Sequence, residues 1–453
     1  MVSDSVEAQQ NEHTIKVRED NKDRLESIHR RISEPPKLLS RAAGKTSCCI
    51  FRVPQSLADI NDRAYEPHIV SIGPYHRGEP HLRMIEEHKW RYLGTVLERT
   101  RPMGLGLEDY MRAVEPLVGS SRECYSEAIP LDDDDFIEMM VVDAFFMIEL
   151  FRKVSRLVPH ERDDPLFTMA WILPFFYRDF LRLENQIPYF VLERLFEMSM
   201  VSAEESKRSL AELALEFFNN IMQRPDKVIA ACKDIKGTHL LDLVRSSFIP
   251  GDRHELEEPR RRTIVPTHVI HCVSKLRRAG IKLRRIGEEG ESFLVVRFRG
   301  GVLEMPTITI DDFMSSFLLN CVAYEQCHHS SSKHITTYAT LLDYLVNTHR
   351  DVEYLCDQSI MENCFGTDGE VARFINNLGK DVAFDIDRCY LSGVFNSVHE
   401  YYSNSLHVQW ASFKYTYFDT PWSFISALAA FILLLLTMAQ TFFTVYGYIL
   451  PPK

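Results

Sequence analysis

From Pro421 to Leu450 the chain carries no Asp, Glu, Lys, Arg or His, and its centre reads AAFILLLLTMAQTFF. A helix rises 1.5 Å per residue, so about 20 apolar residues cross the hydrocarbon core of a bilayer. A run this long either fills the core of a large protein or spans a membrane. Soluble core helices seldom continue this far without a charge, which favours the span. Trp410, Tyr415, Tyr417 and Trp422 precede the apolar centre, and Tyr446 and Tyr448 follow it, as suits the two membrane interfaces. The expectation is a single-pass helix within a tail anchor over residues 418–453, carried by Trp422, Phe424, Leu434, Leu436, Gln440 and Tyr446. Only Pro-Pro-Lys follows the apolar run, and the polar start MVSDSVEAQQ has neither an apolar signal region nor Gly at position 2. The bulk of the chain is therefore expected in the cytosol, held at the plasma membrane or endoplasmic reticulum. Lys414 and Lys453 flank the run on either side, so the positive-inside rule sets no orientation.

The remaining sequence suits one large core or two smaller ones. A net charge of -12 argues against nucleic acid as a partner, since phosphate binding needs a basic footprint. The ten cysteines show no disulfide framework. Residues 1–46 read as a polar arm in which Leu25, Ile28 and Ile32 mark one short amphipathic helix, ended by Pro35-Pro36. Residues 47–417 read as a mainly helical globular domain. A sub-division is expected at IPGDRHELEEPRRR, residues 249–262, which is dense in charge, Pro and Gly. CCIFRVP and PHIVSIG read as extended segments. Leu82, Ile85, Trp90, Leu93 and Leu97 then recur at helical spacing. Asp132 to Asp135 suit a helix N-terminus, where free N–H groups favour negative charge. The apolar stretch 166–198 reads as buried core broken by Pro174 and Pro188. Ser202 and Glu205 form a capping box expected to open the next helix. Alternation around Gly300-Gly301 predicts a hairpin. Helices are expected over 311–327, 336–347 and 369–377, with a last one from about 394. The class is mainly α, with a minor β-hairpin and a C-terminal transmembrane helix.

Little of the chain looks like chemistry. Gly73 and Gly78 have the glycine spacing of a phosphate-binding loop, but Glu79-Pro80 stands where the loop needs Lys and a hydroxyl residue. The bland reading is a corner between an extended segment and a helix. Cys321, Cys327, His328, His329 and His334 form a cluster of soft ligands, and His268, His271 and Cys272 a second. Neither has the paired spacing of a zinc site. No G-x-S-x-G or H-E-x-x-H occurs. Neither a metal nor another cofactor is expected, and the chain is not read as an enzyme. Arg260, Arg261, Arg262, Arg284 and Arg285, with Lys275, Arg277, Arg278 and Lys282, make a basic segment in an acidic chain. Its plain reading is a solvated surface, and its sharper one is contact with anionic lipid headgroups.

Several blocks taken in order carry a resemblance: FRVPQSLADINDRAYEPHIVSIGPYHRGEPHLRMIEEHKWRYL, FIEMMVVDAFFMIELF, RDFLRLENQIPYFVLERLF, LEMPTITIDD, NCVAYEQC and YFDTPWSFISALAAFILLLLTMAQTF. Together, from about Cys49 to Leu450, they resemble the plant domain-of-unknown-function 247 family, also called UPF0481. The resemblance implies a plant protein with a C-terminal span and no established activity. Some grass members are associated with self-incompatibility loci as candidate pollen-side recognition factors. Tyr75, His76, Glu86 and Trp90 fall in the first block, and Glu184, Asn185, Gln186 and Pro188 in the third. Polar groups inside apolar runs need hydrogen-bond partners when buried, so these are expected to form a structural network. Three functions are carried forward. The leading one is a recognition or scaffold module with a protein partner. The others are an enzyme with its site near His76 and Glu184, and an anionic-lipid surface module.

Overall fold

The structure is a computed structural model, and it describes residues 22, 24–33, 38–39, 41–61, 63–250, 270–287, 292–403 and 421–449. It is mainly helical. The principal helices are α1 (Arg83–Thr100), α2 (Leu107–Val114), α3 (Asp133–Val154), α4 (Ile172–Asp179), α5 (Tyr189–Met198), α6 (Leu210–Met222) and α7 (Leu240–Ser246). After them come α8 (Val273–Arg278), α9 (Asp312–Cys327), α10 (His334–Leu345), α11 (His349–Asp357), α12 (Asp368–Leu378), α13 (Ser392–Ser403) and α14 (Pro421–Ile449).

The acidic run behaves as its position predicts. Asp132 caps α3 by accepting from the Asp135 N–H at 2.8 Å, and Asp133 to Asp135 occupy the first turn. Beyond that turn α3 is buried almost all round and forms the axis on which α1, α2, α5 and α6 pack. Phe146, Phe176, Phe180, Phe151 and Phe217 continue that packing as a chain of edge and stacked ring contacts.

The hairpin appears as read. β2 (Arg297–Arg299) pairs antiparallel with β3 (Val302–Met305) across Gly300 and Gly301, both at positive φ, as a tight two-residue turn requires. A parallel strand, β1 (Lys282–Arg285), lies on the other edge of β3. A further parallel pair joins β4 (Ile308–Ile310) to β5 (Met361–Asn363). These parallel pairings are not visible as local patterns, because their partners are distant in sequence.

Four other expectations shift. Residues 24–33 are helical, but Leu25, Ile28 and Ile32 are exposed and pack on nothing buried. The 166–198 stretch is not uniformly core: Met169 and Trp171 are about half exposed, at 48% and 46%. Trp90, at 49%, faces away from the buried side of α1. The Ser202–Glu205 box holds only a short turn, and the long helix opens seven residues after Ser202, at Ser209, which accepts from the Glu212 N–H. Glu205 is buried because it turns inward onto Arg152.

Arg152 is fully enclosed. Its guanidinium donates to Glu149 (2.8 Å), Glu205 (2.5 Å) and Ser199 Oγ (2.9 Å), while Arg99 also clamps Glu149. Removing one partner of such a buried group leaves uncompensated charge. Most of the 249–262 segment lies outside the described residues. The chain on its two sides meets directly: the Leu183 N–H donates to Asn320 Oδ1 at 2.9 Å, and Arg245 on α7 pairs with Glu325 on α9 at 2.9 Å.

Replacing Arg152 with Ala should destabilise the body by about 3–5 kcal/mol, because Glu149 and Glu205 then lose a buried counter-charge. Thermal unfolding checks this. A midpoint within a degree or two of wild type would show that the pair relaxes without cost.

Candidate functional site

The segment 68–73 joins no β-sheet among the described residues and bends at His68, Ile69 and Gly73. Its backbone groups are buried and must find partners elsewhere. They find side chains from about 110 residues further on. The Asp179 carboxylate, at the end of α4, accepts from the N–H groups of His68 (2.9 Å) and Ile69 (2.8 Å). Asn185 then does what a neighbouring strand would do. Its Oδ1 accepts from the Ile72 N–H at 2.7 Å, and its Nδ2 donates to the Val70 carbonyl at 3.1 Å. The next N–H, that of Gly73, donates to Asp143 Oδ2 at 2.7 Å.

Asp143 sits in the apolar middle of α3 and is balanced by Lys89 of α1, whose ammonium is 2.6 Å from Asp143 Oδ1 and 2.6 Å from Glu86. Lys89 is 1% exposed and also donates to the Ser71 carbonyl. Burial pushes the Glu86 carboxyl up, against the pull of Lys89. Gln186 ties the loop after α4 to the start of α7, donating to the carbonyls of Phe180 and Arg182 and accepting from the Leu241 N–H. Pro188 sets the turn that starts α5.

Gly73 is fixed by two independent constraints. Its φ is +79°, and a Cβ there would lie 2.4 Å from the Gln186 carbonyl oxygen. Gly78 also has positive φ (+86°), but a Cβ there would meet nothing. The spacing that imitates a phosphate loop is thus one close backbone crossing and one ordinary turn. The loop's first N–H is already taken by a carboxylate.

Tyr75, His76 and Glu184 form the adjoining knot. Glu184 accepts from the Val53 N–H at 2.7 Å and from Arg52 Nη1 at 2.6 Å. The Arg52 guanidinium lies over the Tyr75 ring at 4.4 Å and donates to the Tyr75 carbonyl. The Tyr75 hydroxyl accepts from the Glu127 N–H and contacts Ser126 Oγ at 3.2 Å. His76, 4% exposed, is bonded through Nδ1 to Glu79 at 2.7 Å. Its Nε2 faces Glu184 Oε2 at 3.3 Å.

A histidine between two carboxylates has the parts of a proton relay. The Glu184 carboxyl argues against that use. Burial pushes it up, but His76, the Val53 N–H and Arg52 outweigh burial and hold it below the ordinary range. A carboxylate so stabilised is a weak base at neutral pH. Asp179 follows the same logic: burial raises it, and the backbone donors with Arg182 hold it low. These groups act as acceptors for the backbone. Of the residues singled out from the sequence, Tyr75, His76, Glu86, Glu184, Asn185 and Gln186 converge here, and Trp90 does not. Reading the sequence missed Asp143, Asp179, Lys89 and Arg52. The available signal was a lone carboxylate in each of two apolar runs, MMVVDAFFMI and FFYRDFL.

The soft-ligand residues are placed differently. Cys321 is buried within α9, His328 stacks on Tyr324 with ring centroids 5.2 Å apart, and His334 stacks on Tyr390 at 4.6 Å. Burial pushes the His334 imidazole down to about 4. No group of three or more potential metal ligands occurs among the described residues. His271 packs against the Tyr402 ring, and His268 lies outside the described residues. Arg260, Arg261 and Arg262 also lie outside them, whereas Arg284 and Arg285 are exposed on β1.

Two predictions follow from this geometry. Gly73→Ala should cost about 2 kcal/mol or more, from strained φ plus the clash with Gln186, against about 1 kcal/mol for Gly78→Ala. Equal losses in chemical denaturation would remove the close crossing from the account. Separately, Asp179, Glu184, Glu149 and Asp164 are all held below their ordinary values in the fold. Their stabilisation is complete above the unfolded-chain values of about 4 and is lost as pH falls through the lower folded-state values. Glu86 and Glu325, which burial raises, act in the opposite sense. The thermal midpoint should therefore drop between pH about 5 and 3, and Asp179→Asn should start lower and drop less over that range. A profile as steep as wild type would exclude Asp179 as a contributor.

Comparison with known proteins agrees with the block pattern. Residues 50–436 match the family described as DUF247, plant protein of unknown function. UPF0481 protein At3g47200 of Arabidopsis thaliana is 37% identical over 434 residues, covering 92% of this chain and 90% of its own length. Putative UPF0481 protein At3g02645 of the same plant is 22% identical over 490 residues, covering 88% of this chain and 90% of its own length. No solved structure matches. A match over this much of the chain, with a relative this similar, places the protein in the DUF247 family of plant proteins of unknown function.

Proposed function

We propose that the protein is a membrane-anchored recognition or scaffold module whose helical body acts through contacts rather than through catalysis. The observation that carries this reading is the use made of the polar residues in the family blocks. Glu184, Asn185, Gln186, Asp179 and Asp143 are occupied by backbone N–H groups, counter-ions or both, inside the core. What remains available for function is surface. Met169 and Trp171 stand exposed together before α4, with the half-buried Phe175 in edge contact with Trp171. Aromatic and Met side chains of this kind are enriched at protein interfaces.

The anchor rests on α14. Its stretch Ile425–Tyr446 has a mean hydropathy of 2.1, and none of it is buried against the rest of the chain. A water-exposed apolar helix of 22 residues would be an aggregation hazard, and a bilayer removes that exposure.

A second reading, contact with anionic lipid, draws support from the three-stranded sheet. Strand register places Lys282, Arg284, Arg297 and Arg299 on one face, with Glu304 as the acidic residue among them. Arg284 pairs with Glu304, and Lys282 and Arg299 are exposed. Arg285 has the opposite register and does not belong to this face.

Alkaline extraction of membranes from cells expressing the full chain should leave it in the pellet, and proximity labelling from its N-terminus should mark cytosol-facing proteins. Release by alkali would remove the anchor. Protection of the bulk of the chain from protease in sealed vesicles would reverse the topology. A double substitution, Met169→Ser with Trp171→Ser, should thin the labelled set without moving the thermal midpoint by more than about 3 °C.

A further inference from the structure

We infer that α14 pairs with α14 of a second copy of this chain inside the membrane, through a face that carries the Gln440 carboxamide at one edge. This rests on the anchor reading above. The helix is apolar throughout but not uniform around its axis. At 100° per residue, Ser426, Ala430, Thr437, Gln440, Thr441 and Thr444 fall within an arc of about 100°. Leu428, Phe431, Ile432, Leu435, Phe442 and Phe443 fall on the opposite side. Leu433 also falls within that arc and interrupts its polar pattern.

The polar residues on that arc are not in equal condition. The three threonines satisfy themselves: Thr437, Thr441 and Thr444 each donate to the carbonyl four residues back, at 2.8, 2.8 and 2.7 Å. Gln440 has no such local solution. No hydrogen bond reaches its carboxamide among the described residues. In hydrocarbon an unpaired amide is costly, and water is not there to relieve it.

A carboxamide has donors and an acceptor, so it is complementary to itself. Two copies of α14 related by a twofold axis bring Gln440 against Gln440, where each donates to the other. The small side chains of Ser426 and Ala430 let the helices approach, and Thr437, Thr441 and Thr444 line the same side. A twofold pair also needs only one surface, the commonest arrangement in homo-oligomers. The bulky face opposite is left for lipid.

The test uses the purified full chain in phosphatidylcholine vesicles, with donor and acceptor dyes on the N-terminus, diluted with lipid. Wild type should show energy transfer that falls on lipid dilution. Gln440→Leu should weaken association about 3- to 20-fold, Gln440→Asn should restore most of it, and Leu435→Gln, on the lipid face, should not strengthen it. Failure of the chain to stay in alkali-washed vesicles would sink the anchor reading itself. Retention with transfer indifferent to Gln440→Leu would overturn the pairing. So would an absence of transfer in pure lipid vesicles, since association would then depend on a different partner.

Discussion

The structure depends on side chains serving as a sheet edge. The segment 68–73 runs through the core outside any sheet, and every buried N–H there needs an acceptor. Asp179, Asn185 and Asp143 provide them from two helices and a loop. A carboxylate accepting backbone N–H bonds is stabilised more strongly than a neutral acceptor would be, and it must be ionised to do so. Lys89 and Arg182 supply counter-charges to Asp143 and Asp179 within the core. The apolar helices pack around this arrangement.

That dependence explains what could be read from the sequence and what could not. Local signals were legible. The acidic start of α3, the two-glycine turn between β2 and β3, and the helices near 311–327 and 369–377 are all short-range grammar. So was the gathering of His76 and Glu184, because polar residues inside apolar runs must be partnered. The partners themselves were not legible. Nothing local to PHIVSIG shows that its ladder would come from Asn185 rather than from another strand, and β1 finds β3 in parallel only through the fold. Trp90 misled because helical spacing alone does not fix which face is inward. Glu205 misled because a capping box and a buried ion pair present the same residue to a reader of sequence.

A second knot, joined to the first through the Gln186–Leu241 bond, shows the same principle. Asp242 accepts from the Thr238 N–H and pairs with Arg245, and Glu325 accepts from the N–H groups of Ile335 and Thr336. His239 caps α7 through Nδ1 by accepting from the Asp242 N–H, a role that needs a neutral ring. Burial pushes that imidazole down to about 4. Histidine here is a neutral capping group, as His76 is a bridge between Glu79 and Glu184.

Long-range staples also bear on how such a protein can work. The bonds from Asp179, Asn185 and Asn320 join residues more than a hundred positions apart and tie distant parts of the chain together. A rigid body loses little ordering entropy when a partner docks, and its specificity is set by the shape and charge of what it shows. The exposed aromatic strip before α4 and the basic sheet face differ in just this respect, one suited to apolar contact and the other to anions. On the anchor and pairing proposed above, α14 would add a third surface whose selectivity comes from a single amide. Holding several copies side by side would turn weak contacts of the first kind into firm ones, because a second contact within one assembly is made at high local concentration. Pairing through α14 and recognition through the body are therefore coupled: loss of the Gln440 contact should weaken capture of a multivalent partner more than capture of a monovalent one.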